Sequence, residues 1–150
     1  MEESKKAKLK ALKILTQTDK TEQELRASLA RSGFSAEAVQ EAIDYVRSFG
    51  YLDDARYAKR YVECCCNRKS RMRIRYDLIR RGVDKELVEE AIDGCEDMNE
   101  TEVLRRCLYK KWNCDEKPDE KNLNRIVGAL TRQGFSNHDI WKVLREENLT

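Results

Sequence analysis

The chain has 150 residues, a single proline, six glycines, 39% charged residues and a formal net charge of +2. So few turn formers among so many Ala, Leu, Glu, Lys and Arg imply helices, and no alternating run bounded by Gly or Pro is present to build a sheet. No apolar run approaches the ~18–20 residues that span a bilayer, and Lys5, Lys6, Lys8 and Lys10 precede no apolar core or cleavage site, so a cytoplasmic chain with no membrane contact is expected.

In chain order, Leu9, Leu12 and Leu15 mark a helix over about residues 5 to 16. Thr21 then caps a second helix whose stripe is Leu25 and Leu29 and which ends at Gly33. Ser35 caps a third, with Val39 and Ile43 on its buried side. The same order returns twice. A helix over about 54 to 68 is followed by Ser70, Ile74, Leu78 and Gly82, then by Asp84, Val88 and Ile92. A helix over about 100 to 112 is followed by Asn122, Ile126, Leu130 and Gly134, then by Ser136, Ile140 and Leu144. The caps Thr21, Ser70 and Asn122 all stand twelve residues before their glycine, and Ser35, Asp84 and Ser136 two after it. Ser136 and Asp139 are close to a capping-box spacing.

The glycines recur at 49 and then 52 residues, as in tandem units whose small cores are completed by their neighbours. An all-α fold of three tandem three-helix repeats is expected, at residues 1–50, 51–98 and 99–150, forming an elongated, curved molecule. Between the first two repeats, Asp53 or Asp54 caps the next helix, and Tyr51 and Leu52 pack the joint.

Charge is unevenly distributed. Residues 56 to 81 carry ten Lys and Arg against Glu63 and Asp77, a net +8, and residues 84 to 102 carry nine acids against Lys85, a net −8. Ile74 and Leu78 fix the buried side of their helix, so Arg73 and Arg80 face away from it, while Arg71 and Arg75 flank the stripe. With Tyr57, Tyr61 and Tyr76 interleaved, the segment reads as a binding face. The glycine turns suggest a DNA-reading helix-turn-helix. However, Glu37, Glu41 and Asp44, and Glu86, Glu89, Glu90 and Asp93, lie on the helices that would enter the groove, where phosphates would repel them.

Nothing in the sequence assembles a catalytic site, and no cofactor is expected. Metal is not expected either. Cys64, Cys65 and Cys66 are consecutive and diverge around a helix, Cys95, Cys107 and Cys114 have no ligand spacing, and His138 is the only histidine. Reduced thiols, several in the core, are the expected state.

Residues 21 to 62, and above all GYLDDARYA at Gly50, Tyr51, Leu52, Asp53, Asp54, Arg56 and Ala58, resemble the RecX family of regulators of the bacterial recombinase RecA. RMRIRYDLIRRGVDKELVEEAI at 71 to 92 resembles the family's second characteristic stretch, and RIVGALTRQGFSNHDIWKVL a weaker third. The CysCysCys run and RKSRMR depart from the pattern, which has more arginine and a Gly there. The resemblance implies a monomeric, non-enzymatic helical protein that lies across neighbouring subunits of the RecA filament on single-stranded DNA and mainly inhibits its recombinase, ATPase and coprotease activities. It assigns partner binding to Arg68, Lys69, Arg71, Arg73, Arg75, Arg80 and Arg81. The alternative is a general nucleic-acid-binding module whose same basic face meets the phosphates of single- or double-stranded DNA.

Overall fold

The computed structural model describes residues 2–96, 98–113 and 116–150; Cys114 and the acidic Asp97 lie outside them. Nine helices form among the described residues, with no strand: α1 (Glu2–Gln17), α2 (Glu22–Arg31), α3 (Ala36–Ser48), α4 (Asp54–Cys65), α5 (Arg71–Arg80), α6 (Lys85–Asp93), α7 (Glu100–Lys111), α8 (Glu120–Arg132) and α9 (Asn137–Glu146). None is long and apolar enough to cross a membrane.

Contacts divide the chain into two compact units, one of Met1–Arg60 with Asp77–Ala91 and one of Tyr61–Tyr76 with Ile92–Thr150. In the first, Leu25 and Leu29 of α2 meet Val39, Ile43 and Val46 of α3 in one buried cluster. In the second, Leu104 and Leu108 of α7, Ile126 and Leu130 of α8, and Ile140 and Leu144 of α9 do the same. Each fully buried leucine or isoleucine contributes roughly 1.5–3 kcal/mol by leaving water.

Helix α1 does not bury the stripe its leucines suggest. Leu9 is exposed and Leu12 and Leu15 are half-buried, while Ala7 and Ala11 are fully buried in the cluster. Small side chains one turn apart let α1 lie close against α3, whose own Ala38 and Ala42 are buried there.

The caps explain the helix starts. Thr21 Oγ1 accepts from the Glu24 amide and the Glu24 carboxylate accepts from the Thr21 amide, a complete capping box. Ser35 and Ser136 accept from the Ala38 and Asp139 amides, and Ser70 from the Arg73 amide. Asp53 caps α4 through the Arg56 amide, which settles the choice between the two aspartates. Asn122 is not a cap: Asp119 Oδ1 takes the Asn122 amide at 2.7 Å and starts α8 a turn earlier. Tyr51 does not pack a joint either. Gly50 turns the chain at φ +74°, so that Leu52 is buried while Tyr51 is 53% exposed.

One joint recurs at the same repeat positions. Thr21, with no exposed surface, donates its hydroxyl to the Arg81 carbonyl at 2.6 Å; Ser70, 1% exposed, donates to the Gln133 carbonyl at 2.6 Å. Each carbonyl belongs to the residue before the next repeat's glycine. One residue after each hydroxyl, the Glu22 amide donates to Asp54 Oδ1 at 2.9 Å and the Arg71 amide to Glu100 Oε1 at 3.0 Å. Asp54 and Glu100 are the first residues of α4 and α7.

Glycine at the joint is required by geometry. Gly134 has φ +99°, and a Cβ there would lie 2.6 Å from Ser70 Oγ and 3.3 Å from the Arg73 nitrogen. Gly33 has φ +92°, but a Cβ there would meet nothing. Gly33→Ala therefore costs about 1 kcal/mol from the backbone alone. Gly134→Ala should cost roughly 1–3 kcal/mol more, because it displaces a buried hydrogen bond. Equal losses in denaturant melts of the two variants would contradict the joint.

Burial, then the carboxylates of Asp84 and Asp53, push the Asp54 carboxyl above its ordinary range, against the pull of Arg47. The native state thus holds this proton to higher pH than the unfolded chain, and stability falls as pH rises through that window. Asp54→Asn keeps an acceptor for the Glu22 amide and loses the charge. The variant should be at least as stable as the parent at pH 7, with an advantage that shrinks as pH falls toward the ordinary aspartate range. Melts showing a pH-independent difference would refute this.

Candidate functional site

The second unit carries a cleft of about 570 Å³ lined by Arg68, Lys69, Arg73, Lys110, Lys111 and Arg132, with Ser70, Cys107, Ala129, Gln133 and Phe135 and, among the described residues, no carboxylate. Three local features assemble it. The turn after α4 delivers Arg68 and Lys69, the Ser70 cap starts α5 and places Arg73 one turn in, and α7 ends on Lys110 and Lys111. The Ser70 hydroxyl, bound to the Gln133 carbonyl, holds the end of α8 and its Arg132 beside them.

The cations are positioned by neighbours. Lys69 Nζ donates to the Tyr61 hydroxyl at 2.8 Å and sits 5.3 Å from that ring's centre, and the Arg73 guanidinium lies 5.5 Å from the Tyr76 ring. These contacts set where each cation sits over its ring. Arg68 reaches the Cys64 sulfur at 3.6 Å. Burial pushes the Cys107 thiol up, against the opposing pull of Lys110 and Lys111, so it stays a protonated wall residue. Among the described residues, no group of three His, Cys, Asp or Glu is arranged to hold a metal.

The first unit has a cleft at the same repeat positions, about 490 Å³, lined by Lys20, Glu24, Arg31, Asp77, Arg80 and Arg81 among others. Counted from the glycines, Lys20 corresponds to Lys69, Arg80 to Arg132, Glu24 to Arg73 and Asp77 to Ala129. Relative to the first cleft, the second has both acids replaced, one of them by arginine, has Gln133 in the place of Arg81, and adds Arg68 and two lysines of α7. In the first cleft Glu24 closes the capping box, and Arg81 donates to the Tyr57 hydroxyl at 2.9 Å. Burial raises the pKa of that tyrosine, so it remains a neutral acceptor.

Of the residues singled out from sequence, Arg68, Lys69 and Arg73 come together in the acid-free cleft, and Arg80 and Arg81 line the mixed cleft of the first unit. Arg71 is exposed at the start of α5 and Arg75 is half-buried; neither lines either of these two clefts. Lys110, Lys111 and Arg132 were missed. Repeat register alone could have found Arg132, at the position of Arg80; finding the lysines required knowing that the end of α7 comes to the same cleft.

Comparison with known proteins settles the kinship. Residues 7–45 match the family model for the first three-helix domain of RecX, and residues 53–92 that for the second. The chain belongs to the RecX family. It is 35% identical over 150 residues to the regulatory protein RecX of Caldanaerobacter subterraneus subsp. tengcongensis, covering 99% of this chain and 72% of that one. It is 30% identical over 145 residues to that of Clostridium acetobutylicum, covering 93% and 68%. The crystal structure of RecX from Lactobacillus salivarius superposes with a TM-score of 0.79 at 23% identity, over 99% of both chains, a likeness of fold. These RecX relatives are named regulators rather than enzymes.

Proposed function

We propose that this chain binds the RecA filament on single-stranded DNA through the acid-free cleft of its second unit and mainly inhibits the filament's recombinase, ATPase and coprotease activities. It acts as a cytoplasmic monomer and performs no chemistry of its own. Family membership supports the partner. The observation that carries the site is six Lys and Arg side chains around one cleft with no carboxylate among the described residues of its lining. Such a cleft attracts an anionic surface at long range and discriminates against a basic one, which suits a regulator that must find a filament among other proteins.

Because an acid-free cleft also suits phosphates, the same residues support a second reading, a nucleic-acid binder that needs no RecA. That binder would hold bare DNA with an affinity falling steeply in salt as counterions are released.

The test is the ATPase rate of RecA on single-stranded DNA with substoichiometric chain. The wild type should inhibit, and Arg73→Glu with Lys110→Glu should need roughly tenfold more protein for the same effect. Its thermal melt should match the parent's. Inhibition unchanged in the variant would remove the cleft from the interface. No inhibition by the wild type, with tight binding to bare DNA in low salt, would replace the first reading by the second.

A further inference from the structure

The first unit carries a second surface that the cleft does not use. At the end of α3 three aromatic rings form a ladder: Tyr45 meets Phe49 edge-on at 5.0 Å, and Phe49 stacks on Tyr51 at 6.0 Å with 19° between the ring planes. Tyr45 is packed against the core, but Phe49 is 59% exposed and Tyr51 53%. Large rings contribute to stability by burial, so two adjacent ones left open do little for the fold. The local backbone nevertheless holds them firmly. The amides of Tyr51 and Leu52 both donate to the Val46 carbonyl, and Gly50 takes the positive φ that the turn needs.

Cations stand at both ends of the ladder. Lys8 Nζ lies 5.3 Å from the centre of the Tyr45 ring, on a helix that also carries Lys5, Lys6, Lys10 and Lys13. At the other end Tyr51 borders a shallow cleft with Lys20, Arg56 and Arg60 and the carboxylates of Asp19 and Asp53, and Arg56 donates to the Tyr51 carbonyl at 3.3 Å. The acids nearby are engaged: Asp19 pairs with Arg60 at 3.1 Å, Asp53 caps α4, and Asp44 pairs with Arg47. Exposed rings flanked by cations combine the two contacts that hold a single strand without reading its sequence, base stacking and phosphate neutralisation. A duplex hides its base faces and offers only the second.

The geometry points to a single-strand site on the first unit, at which unpaired bases stack on Phe49 and Tyr51 while Lys8 and Arg56 meet the flanking phosphates. This inference does not depend on RecA being the partner, and it is measured without RecA.

The experiment is fluorescence anisotropy of the full chain with labelled oligothymidine of about 15 nucleotides and with an abasic deoxyribose-phosphate strand of the same length, at matched salt. Stacking should make the thymidine strand bind at least about fivefold tighter per base engaged. Phe49→Ala with Tyr51→Ala should bring thymidine affinity down to the abasic value and leave abasic binding unchanged. Equal wild-type affinity for the two strands would overturn the site, and because that comparison uses no variant it stands even if the double substitution disturbs folding. A folded double variant that loses its effect on RecA but keeps the thymidine preference would assign the ladder to a protein contact, and would equally overturn the inference.

Discussion

A buried hydroxyl that gives its proton to the carbonyl before a left-handed glycine is the interaction on which the rest depends. Thr21 and Ser70 each do two things at once: the oxygen accepts from an amide in the first turn of its own helix, and the hydrogen goes to Arg81 or Gln133 of the next repeat. Such a group, removed from water, is costly to leave without partners, so the bond fixes register as well as adding stability. The glycine follows from it, since at Gly134 a methyl group would occupy the space the serine needs. The second bond of the joint, from the helix's first amide to Asp54 or Glu100, ties the next repeat's leading helix to the same point.

Because the joint is repeated, so is the cleft beside it, and small sequence changes at fixed positions decide what each cleft can do. With Glu24 and Asp77 present, the first cleft mixes both signs of charge. With Arg73 and Ala129 in those places, the second has no carboxylate among the described residues of its lining. Lys110 and Lys111 reinforce it from the end of α7, where cations also suit the negative end of the helix dipole.

Much of the fold was legible in the sequence because helix caps and glycine turns are local: Thr21, Ser35 and Ser136 do what their spacing implies, and Gly33, Gly82 and Gly134 all adopt positive φ. Expectations failed where tertiary packing overrode local pattern. Leucines normally define a core stripe, yet α1 turns Ala7 and Ala11 inward because close approach to α3 leaves no room for longer side chains. Asn122 kept its place in the repeat but lost the cap to Asp119, and Tyr51 was read as joint packing although the turn at Gly50 leaves it in solvent. The candidate site was half legible. The charge run marked Arg68, Lys69 and Arg73, but it also swept in Arg71 and Arg75, which line neither of these two clefts, and net charge along a sequence could not show that Lys110, Lys111 and Arg132 come to the same place.

Hydrogen–deuterium exchange of the chain, alone and with RecA filaments assembled on single-stranded DNA, tests the central claim most directly. Peptides covering 68–74, 107–112 and 129–135 should slow together on filament binding, since the Ser70 joint makes them one surface. Protection confined to other segments, with these three unchanged, would contradict the assignment of the acid-free cleft as the regulatory face.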